Sequence, residues 1–170
     1  AWAPMRVKMR STNPIFAARA GTTDPIEATA WSCFDLDNVR DVSSIDEFVN
    51  TVLPTAFHNV DYVLQYSASA GITEGAGLRA HLFFLHDRQF TPEQAKIFFT
   101  ALNLKNAVLA GQLSLSANGT SLRYALDRTV CQNDKLIYIS PPTLGEGVID
   151  RLAEKRIQLV TRDQRLVSFD

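Results

Sequence analysis

An α/β or α+β domain is what the sequence predicts, on three observations. Strand-like apolar runs occur at 28–37, 60–68 and 78–85. Helical repeats with marked start signals fall at 44–53 and 91–104, between and after those runs. A loop bearing Gly71, Gly75 and Gly77 separates the second and third runs, as in an antiparallel hairpin with a long connection. The 170 residues are enough for one domain with a real core.

The elements follow in order. Residues 1–27 carry Pro4, Pro14 and Pro25 among small polar residues and read as an irregular N-terminal arm. The run 28–37, Ala-Thr-Ala-Trp-Ser-Cys-Phe-Asp-Leu-Asp, reads as a strand ending in two aspartates. Ser44 with Glu47 matches a capping box, and Ile45, Phe48, Val49, Val52 and Leu53 repeat at helical spacing before Pro54. Thr91-Pro92-Glu93-Gln94 starts the second helix with a cap, a first-turn proline and a glutamine three residues after the cap. That helix is expected to bury Ala95, Phe98, Phe99 and Leu102. The stretch 105–120 is ambiguous. Leu136 to Ile139 is apolar and closed by Pro141-Pro142. A last helix is expected over about 146–156, with Val148, Ile149, Leu152 and Ala153 on one face.

Composition excludes several classes. Hydrophobic residues make up 46% and charged residues 21%, as in an ordinary globular protein. No apolar run approaches the ~20 residues that cross a bilayer, so no membrane role is expected. No secretory leader is visible, and Cys33 and Cys131 form no CxxC, which fits a reducing, cytoplasmic setting. The net charge of -1 argues against a protein that coats nucleic acid. Residues 1–23 nevertheless hold Arg6, Lys8, Arg10 and Arg19 with no acid, an excess suited to a phosphate backbone. A start at Ala1 rather than Met fits a piece of a longer protein.

Phe34-Asp35-Leu36-Asp37 is the sharpest chemical feature. Strand residues two apart share a face, so both carboxylates point the same way. Like charges so close repel, and a divalent cation with hard oxygen ligands, Mg²⁺ or Mn²⁺, relieves the conflict. Arg79 and His81 share one face of the third strand and together could grip a triphosphate. Ser67, Ser69 and the glycine loop offer hydroxyls and N–H groups to the same anion. His86 falls on the opposite face and His58 reads as structural. Asp127 follows an apolar residue and could complete a metal site with Asp35 and Asp37, with Asp134 as a nearby competitor. Arg123, Arg128 and Lys135 are candidates for template or nucleotide phosphate.

These residues, in this order, resemble the three motifs of the archaeo-eukaryotic primase superfamily. The likeness is to the primase-polymerase domains of phages, plasmids and other mobile elements. It rests on Phe-Asp-Leu-Asp, then Ser67 to Ser69 with the glycine loop leading to Arg-Ala-His-Leu-Phe-Phe, then Leu126-Asp127. The stretch from Asp134 to Pro142 is similar to the segment after the third motif, and the resemblance covers roughly 28–142. It implies an RRM-like core with a mainly antiparallel sheet flanked by helices, and template-directed nucleotide addition with two Mg²⁺ or Mn²⁺ ions. Asp35, Asp37 and Asp127 match the metal-binding catalytic acids, and His81 the second-motif histidine. Arg79 stands where that motif often has serine, so Ser67 or Ser69 would supply the hydroxyl, and Lys135 would join the nucleotide contacts. The implied partners are a single-stranded DNA template and primer, NTP or dNTP, and a helicase, separate or fused, in a bacterial or phage-infected cell.

Two other readings compete. Asp35-Leu36-Asp37-Asn38-Val39 looks like the DxDx(T/V) signature of haloacid-dehalogenase-like phosphohydrolases, with Asp35 as nucleophile and Asp37 as acid/base. No later Gly-Asp-x-x-x-Asp motif accompanies it. The other is a non-catalytic RRM-like nucleic-acid-binding domain in which Tyr62, Tyr66, Phe83 and Phe84 stack bases.

Overall fold

The computed structural model describes residues 23–72 and 75–169. Most of the expected N-terminal arm, with its basic excess, lies outside them. The chain forms strand β1 (Thr29–Val39), helix α1 (Ile45–Thr51), strands β2 (Tyr62–Tyr66) and β3 (Leu78–Phe90), and helices α2 (Pro92–Lys105) and α3 (Ala107–Ala110). A small hairpin of β4 (Ser114–Leu115) and β5 (Leu122–Arg123) follows, and strand β6 (Ile157–Val160) comes last. The main sheet has four strands in the order β1-β3-β2-β6, antiparallel at every pairing. The fold is α+β.

Alternation along the strands separates two faces. Phe34 and Leu36 of β1, Leu64 of β2, and Ala80, Leu82 and Phe84 of β3 are buried together with Phe48 and Val49 of α1 and Phe99 of α2. Phe34 sits at the centre, its ring 5.1 Å from Phe99 and 5.2 Å from Phe57, both edge-on. Edge-to-face contacts of this kind add about 0.5–1.5 kcal/mol each beyond the burial itself. All five apolar positions of the first helical repeat, from Ile45 to Leu53, are buried as expected.

The start signals work in different ways. Thr91 and Gln94 form a complete capping box on α2. At α1, Ser44 Oγ accepts from the Glu47 N–H at 3.1 Å, but the Glu47 carboxylate turns to Ser43, taking its N–H at 2.7 Å and its hydroxyl. Only half of the expected box is therefore made.

The structure corrects three expectations. β1 runs on to Val39, so Asp35 and Asp37 lie on the face of the sheet rather than at a strand end. β3 continues past Leu85 to Phe90. No α-helix forms over 146–156. Val148 and Ile149 are exposed, Gly147 adopts φ 76°, and only a 3₁₀ turn at Ala153–Arg156 remains. Gly145 and Gly147 weaken any helix there, and the Asp150 carboxylate takes the Leu152 N–H at 2.9 Å in a local turn. Arg156 is buried and ties this segment to the loop after β2. Its guanidinium donates to both Asp150 oxygens and to the Ser67 and Ala70 carbonyls.

Near Asp37 the β1–β3 register shifts by one residue. Asn38 adopts φ 66° there, and its side-chain oxygen accepts from the Gly77 N–H at 2.8 Å. A Cβ at Gly77 would run into the backbone oxygens of Asn38 and Val39. Gly77→Ala is expected to cost about 1–3 kcal/mol in urea unfolding, as overpacking against rigid backbone does. An unchanged midpoint would show that the strand end shifts freely.

His86 projects to the buried face, as its spacing predicts, and Ser32 Oγ lies 2.8 Å from its Nε2. Burial lowers its pKa from 6.5 to about 4, with Asp87 opposing weakly. The folded state thus keeps His86 neutral where the unfolded chain would protonate it. Stability from this group is full above about pH 6.5, falls with pH through that window, and levels off near pH 4. Asp150, held down to about 2 mainly by Arg156, loses its contribution only at lower pH. Thermal melts from neutral pH to about 4 should show a falling midpoint, and His86→Leu should flatten that slope. An equal slope in the variant would show that other groups set it.

Candidate functional site

Antiparallel register lays the polar residues of the open face out in two rows. Asp35 pairs with His81, and His81 with Gln65. Residues 125–127 extend the row, because Leu126 bridges to Leu36 and the Asp127 N–H donates to the Asp35 carbonyl at 3.1 Å. The first row is therefore Asp127, Asp35, His81, Gln65. In the second, Asp37 faces Arg79, and the Ser67 N–H donates to the Arg79 carbonyl at 3.1 Å. The predicted residues Asp35, Asp37, His81, Arg79, Ser67 and Asp127 thus share one surface although their sequence positions span 93 places, from 35 to 127.

His81 is 7% exposed and held from both sides. The Gln65 side-chain NH₂ donates to the Tyr66 carbonyl at 2.9 Å, which turns its oxygen toward His81 Nδ1. Amide oxygen only accepts, so Nδ1 carries the proton in that contact. Nε2 then faces Asp35 Oδ1 at 3.3 Å. Gln65, a polar residue inside the apolar strand Tyr-Val-Leu-Gln-Tyr, escapes the sequence reading. Only the register shows that it meets His81.

Asp127 has a more occupied carboxylate. It accepts from the Thr129 N–H at 2.8 Å, the Thr129 hydroxyl at 2.9 Å and Lys135 Nζ at 3.0 Å. Burial acts to raise its pKa, but these bonds outweigh it and the net shift is downward. Lys135, expected at the nucleotide, pairs with this acid. Asp134, the competitor for the third acid, lines neither cavity of the site.

Arg79 donates to the Ser69 hydroxyl at 3.0 Å, and its Nε is buried without a partner. The Ser67 hydroxyl turns back to the Arg79 carbonyl at 3.3 Å. Two adjoining cavities flank Asp37. One, about 450 Å³, includes Asp35, Ser67, Ser69 and Asp127 in its walls; the other, about 630 Å³, includes Arg40, Arg79 and Arg123. Asp37, Arg123 and Tyr124 line both. Volumes of this size suit a nucleotide-sized ligand. Arg40 and Tyr124 carry no motif, and the fold alone brings them in. Gln112 clamps the Arg40 backbone at both its N–H, 2.7 Å, and its carbonyl, 2.8 Å. Arg128 stacks its guanidinium 4.7 Å over the Tyr124 ring and lines the smaller cavity.

Asp35 and Asp37 present free carboxylate oxygens to one side of the sheet, a donor set that fits a hard divalent cation. Asp127 fits it only when Lys135 withdraws. Among the described residues, no three His, Cys, Asp or Glu side chains stand together as a ready-made metal cage. Of the four aromatic residues proposed to stack bases, Tyr62 and Phe84 are buried on the helix-covered face. Tyr66 packs against the core there, and only Phe83 belongs to the open face, beside His81. Among the described residues no helix is long and apolar enough to cross a membrane. No family model, curated protein or solved structure matches the chain.

Proposed function

We propose that this domain performs template-directed nucleotidyl transfer, as a primase-polymerase core on an RRM-like sheet. One observation carries the reading: two same-face carboxylates, Asp35 and Asp37, meet at adjoining cavities, Asp37 lining both and the larger one also lined by Arg40, Arg123 and Arg79, whose buried Nε–H lacks a partner. An unpaired buried donor costs about 1–3 kcal/mol, and an anion recovers that loss.

Asp35 and Asp37 would hold Mg²⁺ or Mn²⁺, with Asp127 joining once Lys135 is displaced. Such ions, when bound, lower the pKa of an attacking hydroxyl and neutralise charge on the leaving pyrophosphate. Arg79, Arg40 and Arg123 grip the triphosphate oxygens, where forked guanidinium contacts supply orientation as well as charge. Ser69 steadies Arg79, and Gln65 steadies His81, whose Nε2 lies beside one oxygen of Asp35. The expected partners remain a single-stranded template, a primer and an NTP or dNTP, with a helicase beside or fused to the domain.

The test is extension of a primed DNA template by the folded chain with Mn²⁺ or Mg²⁺ and either nucleotide class. Incorporation that follows the template supports the reading. Folded protein that adds no nucleotide under any of these conditions would overturn it. Turnover of a generic phosphate ester through phosphorylated Asp35 would assign the same acids to phosphohydrolase chemistry instead.

A further inference from the structure

A third cavity, of about 240 Å³, lies between β1 and α2, and none of its lining residues belongs to the site described above. Its walls are mostly apolar, with six aromatic residues among them: Trp31, Phe57, Phe90, Phe98, Phe99 and Phe169. Among its polar lining residues, Ser32 and His86 are joined at 2.8 Å through Nε2. His86 is 8% exposed, and its other ring nitrogen, Nδ1, has no hydrogen-bond partner. Phe57, Phe90 and Phe169 surround the imidazole with centroids 5.5–6.2 Å away, all near edge-on, and none of them carries a side-chain nitrogen or oxygen that could pair with Nδ1.

An orphaned polar atom at this depth is costly, and an apolar cavity that small molecules can enter offers a remedy. An engineered apolar cavity of about 150 Å³ is already enough to bind benzene. We propose that this cavity is a binding site for a small aromatic molecule carrying a hydroxyl, whose ring fills the aromatic cage and whose hydroxyl pairs with His86 Nδ1. A hydroxyl suits the position in particular. The Ser32 hydroxyl can donate to Nε2 or accept from it, so Nδ1 is left as donor or as acceptor, and a hydroxyl answers both. A charged ligand is excluded by the lack of any charged group among the lining residues. One lining residue, Gln94, is solvent-exposed, so the cavity reaches the surface there.

The probe pair is phenol and toluene, equal in shape and differing in the hydroxyl. Each is titrated into the full chain while the side-chain nitrogens of the histidines are followed by NMR. Phenol should shift His86 Nδ1 selectively and bind about tenfold more tightly than toluene, the worth of one buried hydrogen bond. His86→Leu should remove that preference, and Ala95→Phe, which fills the cavity from α2 while leaving His86 in place, should abolish binding of both. Equal affinity for the two probes, shifts only at His58 or His81, or no saturable binding would each overturn the proposal, leaving water as the occupant of the cavity.

Discussion

Asp37→Asn is expected to leave the domain folded and to lower nucleotide incorporation by roughly 10²- to 10³-fold or more, the loss typical when one pre-organised electrostatic element of a site is removed. The Asp37 side chain is exposed and makes no hydrogen bond or ion pair among the described residues, so unfolding should move by no more than about 0.5 kcal/mol. Asparagine keeps the shape and discards the charge that would hold a divalent cation. Asp35→Asn should be equally inactive but slightly less neutral for the fold, because Asp35 Oδ1 also lies 3.3 Å from His81 Nε2. The paired measurement is primer extension and urea unfolding on the same preparations. Wild-type extension rates in Asp37→Asn would remove this acid, and with it the nucleotidyl-transfer reading. A collapsed midpoint in the same variant would instead mean that the acid has a structural role its exposure conceals.

What could be read from the sequence follows from range. Local signals, such as the Thr91–Gln94 box and the Ile45 to Leu53 repeat, act within one turn of chain, and both mark real helices. Alternation is equally local, so the shared face of Asp35 with Asp37, and of Arg79 with His81, could be read directly. Which strand lies beside which is a long-range matter. The partners Gln65 for His81 and Lys135 for Asp127 are set by register and by a turn, and no spacing rule encodes either. The failed helix at 146–156 has the same origin. Val148, Ile149 and Leu152 have helical spacing, but periodicity stabilises a helix only where an apolar surface receives it. Here Val148 and Ile149 are exposed, and the buried residue of the segment is Arg156, whose partners are a carboxylate and two carbonyls.

Asn103→Leu should destabilise the fold by roughly 2–5 kcal/mol, because it strips the partners from two buried backbone groups at once. Asn103 is fully buried on α2, a position the helical repeat would assign to an apolar side chain. Its carboxamide oxygen accepts from the Leu126 N–H at 3.1 Å, and its NH₂ donates to the Leu126 carbonyl at 3.1 Å. The flanking groups point the other way: Asp127 N–H meets the Asp35 carbonyl, and the Ala125 carbonyl meets the Asp37 N–H. Residues 125–127 are thus stitched to β1 on one side and to the helix on the other, and this stitch sets Asp127 beside Asp35. Leucine keeps the branching of asparagine and leaves no cavity, and its bulkier methyl groups add a smaller overpacking cost to the lost hydrogen bonds. Asn103→Asp is the sharper companion. It can still accept from Leu126 N–H but faces the Leu126 and Phe99 carbonyls with a carboxylate, and should cost at least as much near neutral pH. Urea unfolding with an unchanged m-value checks both. A shift below about 1 kcal/mol in Asn103→Leu would show that pairing with β1 alone holds the segment, and that Asp127 owes its position to the sheet and not to the helix behind it.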